Sequence, residues 1–326
     1  MADKYLEFIQ DGVVYNLYDM PKGFVIKGNL DLRNQGLTEL PDLSDVVVEG
    51  YFSCGHNKLT SLTGAPQKVG GNYCCEHNRL TTLKGAPQKV NGHFDCRGNQ
   101  LTSLEGAPQE VGGLFYCSEN KLKSLKGAPQ KVGGTFECER NNLTDLEGAP
   151  QDVGKNFYCG KNQLKSLKGA PQEVYGNFYC EHNDLIDLRG APQAVREDFD
   201  CHDNQLVSLE GGPEKIGGDF CCENNDLKSL VQLPKMNNGA TIECDESVAR
   251  KYGFDGSKFA AKDLYDNSIF QNELKLDETR RKLRQEYLDK SAKITQNTQA
   301  KFNEWLKNNT YKCNQYININ KSGEQR

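Results

Sequence analysis

The sequence predicts a mainly β repeat solenoid built on a curved parallel sheet, and three observations carry that expectation. Nine cysteines, Cys54, Cys75, Cys96, Cys117, Cys138, Cys159, Cys180, Cys201 and Cys222, stand 21 residues apart. An aromatic residue lies two places before each, from Phe52 and Tyr73 to Phe220, and an asparagine three places after each, from Asn57 to Asn225. A Gly-Ala-Pro turn recurs between them, as at Gly85-Ala86-Pro87-Gln88. Self-similarity at a constant period of about 20–50 residues marks a chain of stacked units, each touching only its neighbours.

Within one unit, Tyr73 and Cys75 alternate with Asn72, Cys74 and Glu76, the period of two that gives a strand one buried face. Leu80 and Leu83 fill the core from the descending side. The asparagine amide is expected to bond backbone groups of its own and the next rung, because buried polar groups need partners. Glycine permits close backbone approach and proline fixes φ, so Gly-Ala-Pro closes the turn on the far side. Strands centred at Leu32, the nine cysteines and Cys244 give about eleven rungs over residues 30–246, a sheet roughly 50 Å long at ~4.8 Å per rung.

Ahead of the array, residues 1–29 carry a hairpin signal. Tyr5-Leu6-Glu7-Phe8-Ile9 and Val13-Val14-Tyr15-Asn16-Leu17-Tyr18 flank Gln10-Asp11-Gly12, and this hairpin is expected to cap the first rung. Residues 247–326 lose the Gly-Ala-Pro beat and read as a helical cap and tail. Leu276 to Asn309 has no Gly or Pro; Leu283, Tyr287, Leu288, Ile294, Phe302, Trp305 and Leu306 form a thin apolar stripe along it. A cap over the last rung is favoured over a helix that engages a partner or dimerises.

The chain has thirteen cysteines, but most occupy one register of the repeat rather than loop-closing pairs. Side chains at equivalent positions of parallel strands point the same way, which disfavours bridges, and free cysteine behaves as a small hydrophobe. A ladder of reduced core thiols is expected. Cys74, Cys221 and Cys313 fall outside that register and should be the accessible ones.

This frame resembles the leucine-rich repeat, L-x-x-L-x-L-x-x-N-x-L, in the stretch Gly70-Gly71-Asn72-Tyr73-Cys74-Cys75-Glu76-His77-Asn78-Arg79-Leu80. An aromatic and a cysteine replace two leucines, and Val69 lies one place early. The 21-residue length is similar to the short bacterial class. The Leu-x-Gly-Ala-Pro-Gln-x-Val-Gly-Gly-x-Phe-x-Cys wording resembles repeats of bacteriophage and prophage proteins. The resemblance covers about residues 30–246 and implies strands lining a concave face. Secreted bacterial effectors with similar repeats carry a ubiquitin-ligase domain with a catalytic cysteine. Here some 80 residues follow the array, and Cys313 lacks an acidic active-site context, so no enzyme is expected.

A functional surface is expected at positions three and one before each cysteine and one and two after it. From Cys117 to Cys244 these positions hold twelve acids: Glu119, Glu137, Glu139, Glu181, Asp198, Asp200, Asp203, Asp219, Glu223, Glu243, Asp245 and Glu246. Only Arg140 and Lys161 oppose them, in a chain whose net charge is −5. Leu114, Tyr116, Tyr158 and Tyr179 form an apolar and aromatic strip among them. On the far side Lys84, Glu105, Lys126, Glu147 and Lys168 alternate in sign. Like charges on adjacent strands repel, so their segregation on one face points to an external partner. The expected partner-binding set is Leu114, Tyr116, Glu137, Glu139, Tyr158, Tyr179, Glu181, His182, Asp198, Asp200, His202, Asp203, Asp219 and Glu223.

The remaining classes are weaker. All five histidines occupy outward positions, and His182 and His202 with Glu181, Asp200 and Asp203 offer metal-ligand types, but no ligand motif of defined spacing exists and no metal or cofactor is expected. Nucleophile elbow, phosphate loop and histidine–glutamate zinc motif are all missing. Arg280-Arg281-Lys282-Leu283-Arg284 reads as a solvated helix face, so no direct nucleic-acid contact is expected. A mean hydropathy of −0.73, no signal-peptide run and no membrane-length apolar segment favour a cytoplasmic protein, in the host cytoplasm if phage-encoded. The reading is a non-enzymatic scaffold that captures a basic-surfaced host protein. That partner could be a nucleic-acid-binding or defence protein for which the acidic face mimics nucleic acid. The alternative is a structural or adhesive component of a virion or surface assembly.

Overall fold

The structure, a computed structural model, describes residues 6–322. Tyr5 lies outside the described residues, as do the side chains of Ile294, Phe302, Trp305, Leu306 and Cys313. Two compact units divide the chain after Phe270.

The first unit is the expected parallel-sheet solenoid. Its front sheet starts at Leu30–Asp31, continues through nine two-residue strands from Phe52–Ser53 to Phe220–Cys221, and reaches Thr241–Glu243, all parallel and in register. A twelfth strand, Lys258–Ala260, pairs antiparallel with Thr241–Glu243 and closes that end of the sheet. Each strand covers the aromatic residue and its successor, so the cysteine sits just past the strand. Its N–H nevertheless continues the ladder: Cys54 N donates to Cys74 O at 2.8 Å, and His56 N to Glu76 O at 3.0 Å.

Behind this sheet the core repeats in columns. The aromatic rings stack rung on rung at centroid distances from 5.1 Å for Phe52–Tyr73 to 5.7 Å for Phe199–Phe220. The column of cysteines from Cys54 to Cys222 is fully buried, and every described cysteine is unpaired. Several thiols donate to a carbonyl of the following rung, as Cys117 Sγ does to Glu137 O at 3.3 Å. Burial pushes the thiols well above their ordinary range. Cys74 and Cys221, expected to be accessible, are half-buried and pushed up to about 12, first by burial and next by a neighbouring carboxylate, Glu76 and Asp200 respectively.

The asparagine ladder has a definite direction. Asn141 Nδ2 donates to Cys138 O and Glu139 O of its own rung and to Cys117 O of the preceding rung, each at 3.1 Å. Its Oδ1 accepts from Leu122 N, also of the preceding rung, at 3.0 Å. The amide therefore ties backward rather than to the next rung. The residue just before each asparagine, such as His56, Arg140 or Asp203, is left-handed with φ near +50°, which turns the chain off the front sheet.

The sequence reading assigned the far side to a turn alone. It carries parallel strands of its own, beginning at Val25–Ile26 and ending at Lys235–Met236, in sheets of three, four and four. The valine that lies one place early in the leucine-rich frame is the buried residue of these strands. Lys89 pairs with Glu110 at 2.9 Å, and Lys131 with Asp152 at 3.1 Å, so adjacent back strands neutralise one another.

At the N-terminal side Glu7–Gln10 and Val13–Asn16 form the expected antiparallel hairpin around Asp11 and Gly12. At the other end Glu246–Phe270 packs against the last rung. Val248, Ala249, Tyr252, Phe259, Ala261, Leu264 and Phe270 are buried there, and the Tyr252 hydroxyl accepts from Leu230 N at 3.0 Å. The long helix begins earlier than expected and spans Ser268–Ser322; Leu276, Leu283, Tyr287 and Leu288 are exposed on it. No helix among the described residues is long and apolar enough to cross a membrane.

Candidate functional site on the front sheet

Exact register turns each front position into a column at right angles to the strands. The column one place before the cysteines runs Asp95, Tyr116, Glu137, Tyr158, Tyr179, Asp200, Cys221 and Glu243, each directly opposite the next. The column one place after them runs Arg97, Ser118, Glu139, Gly160, Glu181, His202 and Glu223. With rungs ~4.8 Å apart, neighbours in a column cover one another. Leu114, Tyr116, Tyr158 and Tyr179 are therefore half-buried rather than exposed, as are Glu137, Glu139, Asp198, Asp200, His202, Asp203, Asp219 and Glu223. His182 is exposed, and Glu181 is buried, at 7% exposure.

Two of the predicted residues have a structural task. Asp198 Oδ1 accepts from Asp219 N at 2.8 Å, and Asp219 Oδ1 from Thr241 N at 2.7 Å. Asn72, Asn156 and Asn177 do the same for the rungs above them, and His93 does so through Nδ1. This rim of acceptors explains the second glycine of Gly-Gly-x-Phe-x-Cys. A Cβ at Gly218 would run into the Asp198 carboxylate, and one at Gly176 into the Asn156 amide.

Other acids have partners that the repeat pattern does not announce. Lys258, on the closing antiparallel strand, lies 3.5 Å from Glu243 and 3.8 Å from Asp219. Asp245 caps Asn224 N at 2.9 Å, Glu246 pairs with Arg250 on its own helix, and Glu137 accepts from Ser118 Oγ at 2.8 Å. Tyr116 lies under the Arg97 guanidinium, 4.8 Å from its ring centre. Lys258 belongs to a segment outside the repeat, so no periodic signal could have placed it on this face.

Two groups of predicted residues do come together. In the first, Glu139 and Glu181 stand on either side of Gly160. The Glu181 carboxylate leans over that glycine, where a Cβ would collide with it. Its Oε2 is buried with no hydrogen-bond partner, and among the described residues neither glutamate has an ion-pair partner. Burial, then the Glu181 and Glu137 charges, push the Glu139 carboxyl from 4.5 up to about 7. Beside them Tyr158 and Tyr179 pack at 5.1 Å between ring centres, and Asn156 Nδ2 donates to the Tyr158 hydroxyl at 2.6 Å.

In the second group Asp200, His202, His182 and Asp203 adjoin. His202 Nδ1 lies 2.6 Å from Asp200 Oδ1. Asp203 Oδ2 lies 3.4 Å from His202 Nε2 and 3.2 Å from His182 Nδ1. The Asp200–His202 pair has the form of an oriented base, but the thiol beside it, Cys221, is pushed up to about 12 and makes a poor nucleophile at neutral pH.

No protein-family model and no curated protein matches the chain. Similar solved structures include YopM, a leucine-rich effector protein from Yersinia pestis, at 22% identity and a TM-score of 0.44, covering 68% of this chain and 69% of that one. YopM from Yersinia enterocolitica is similar at 19% identity and a TM-score of 0.30, covering 67% of this chain and 65% of that one. A Shigella effector LRR domain is similar at 17% identity and a TM-score of 0.31, covering 61% of this chain and 70% of that one.

Proposed function

We propose that the chain is a non-enzymatic scaffold that captures a protein partner on its front sheet, and that the partner presents a lysine or arginine side chain to the notch over Gly160. The observation that supports this reading is the buried Glu181 oxygen without a partner, facing a second unpaired carboxyl at Glu139. A buried charge lacking a counterion is costly to the free protein. An ammonium or guanidinium entering the notch removes that cost and gains charge-assisted hydrogen bonds. Tyr158 and Tyr179, packed at 5.1 Å on the neighbouring column, supply rigid aromatic area, the kind that anchors protein interfaces. The resemblance of the repeat wording to phage proteins extends the proposal to a host protein as partner, held in the cytoplasm.

The test is capture from host extract by the immobilised chain, followed by affinity measurement with the purified partner. Tyr158→Ala and Tyr179→Ala should each weaken binding by about 1–4 kcal/mol. The Glu139→Gln, Glu181→Gln double variant should weaken it further and flatten its salt dependence. Lys168→Ala, on the back, should leave affinity unchanged. Binding that ignores all four front substitutions but fails when residues after Phe270 are removed would refute the assignment.

A further inference from the structure

We propose that His182, His202 and Asp203 together hold a divalent transition-metal ion with zinc-like preference for nitrogen and oxygen ligands. Both imidazoles approach one carboxylate oxygen: Asp203 Oδ2 is 3.2 Å from His182 Nδ1 and 3.4 Å from His202 Nε2. All three ligand atoms lie within 4.8 Å of one another. Metal bonds of about 2.0–2.2 Å in tetrahedral geometry set neighbouring ligand atoms roughly 3.3–3.5 Å apart. Two edges of that tetrahedron are thus already formed. The third closes by rotation of His182, whose side chain is exposed.

The surroundings suit the site as well. His202 is held at its other nitrogen, Nδ1, by Asp200 Oδ1 at 2.6 Å. That carboxylate fixes the ring and leaves Nε2 as the ligand atom, the support that metal-binding histidines commonly have. The ligands also stand on rigid backbone. His182 N donates to His202 O at 3.1 Å and Asp203 N to Glu223 O at 3.0 Å, so neighbouring rungs cannot drift apart. A simple ion pair accounts for Asp200 with His202; it does not require a second imidazole to converge on the Asp203 oxygen. Three protein ligands leave one position for water or for a group from another molecule. A competing set, Asp200, His202 and Cys221, lies within the same span but needs the His202 Nδ1 bond to Asp200 rearranged. The site lies on the face assigned to the partner, yet it stands on its own contacts and not on that assignment.

The experiment is titration of the chelator-treated full chain with zinc by calorimetry, and with cobalt(II) by visible absorption. One ion per chain is expected, with the intense cobalt bands of four-coordination. His182→Ala and His202→Ala should each weaken binding on the order of 100-fold, and Asp200→Asn about 10-fold. His182→Gln, which keeps the size and polarity of the side chain, should lose affinity as His182→Ala does. Cys221→Ser and His56→Ala should leave affinity unchanged, and unaltered urea midpoints would show that the variants are folded. Absence of saturable binding overturns the proposal, as does binding that survives the His182→Ala, His202→Ala double change. Affinity lost on Cys221→Ser overturns this ligand set in favour of the competing one.

Discussion

Glu76 and Glu181 hold the same place in rungs five repeats apart, yet their neighbours differ. Each leans over the glycine of the preceding rung, Gly55 or Gly160, and each has a buried Oε2 without a hydrogen-bond partner. Beside Glu76, His56 Nε2 is 4.0 Å away, the His56 and His77 rings stack at 4.7 Å, and the Arg33 charge acts on the same carboxylate. At Glu181 the group across the glycine is another acid, Glu139, while His202 of the following rung acts on Glu181, and Lys161 and Arg140 act on Glu139. The repeat dictates backbone and packing at both places. The residues laid on it decide whether a buried carboxylate is balanced within the chain or left for an external cation.

The largest effect that tests this comparison should be the one shared by the two places. Asn78→Ala and Asn183→Ala each remove an amide that bonds three carbonyls and accepts one N–H, from Leu59 or Leu164. Both should lose about 1–3 kcal/mol in urea unfolding, and to a similar extent. A clear inequality would mean that the rungs are not equivalent scaffolds.

The next effect belongs to Glu139 alone. Its carboxyl titrates higher in the folded chain than its ordinary 4.5, at about 7. The folded state therefore binds this proton more tightly than the unfolded chain. The resulting stability is present below about pH 4.5 and is lost as pH rises through about 7. Glu139→Gln, which stays neutral, should be more stable than the parent at pH 8 by about 1 kcal/mol, a value reduced because half-exposed charge is screened. The difference should vanish near pH 4, as followed by thermal melting across that range. A difference independent of pH would break the assignment of the shift to this carboxyl.

A smaller effect should differ in sign between the two places. Glu181→Gln removes a buried carboxylate that faces a second acid and should stabilise by roughly 0.5–1 kcal/mol at pH 7.5, whereas Glu76→Gln gives up its interaction with His56 and Arg33 and should be neutral or destabilising. Lys126→Ala, away from both, should change stability by less than about 0.5 kcal/mol and serves as the reference.

Much of this architecture was legible in the sequence because a fixed period makes every interior requirement appear nine times. Phe136, Cys138, Asn141 and Leu143 are recognisable as core by recurrence alone, and so is the turn at Gly148-Ala149-Pro150. The back strands were missed because each is only two residues long, with one buried valine to announce it. The face was harder to read, since an outward position does not say whether its side chain is free. Asp198 and Asp219 read as surface acids, but their oxygens complete the backbone ladder of the next rung. Lys258 and the cap over Glu246–Phe270 come from aperiodic sequence, where only packing decides the partner. His182, His202 and Asp203 were legible as metal-ligand types, but their convergence was not, because His182 lies 20 and 21 residues before the other two, on the preceding rung, a spacing that no local motif describes.

The backward reach of each asparagine has a bearing on how such an array can change length. Asn162 ties only to its own rung and to the one before it, through Cys159 O and Cys138 O. Duplicating one 21-residue unit would therefore supply both ends of every new bond, and the interior would accept the copy without repair. The face would not. A unit inserted between Gly160 and Glu181 would separate Tyr158 from Tyr179 and move Glu181 roughly 5 Å further from Glu139. One inserted between His182 and His202 would take those two imidazoles apart. Expansion elsewhere, among the rungs of Cys75 to Cys117, would leave both groups intact, so length variants of this chain that keep their surface chemistry should carry their extra units there.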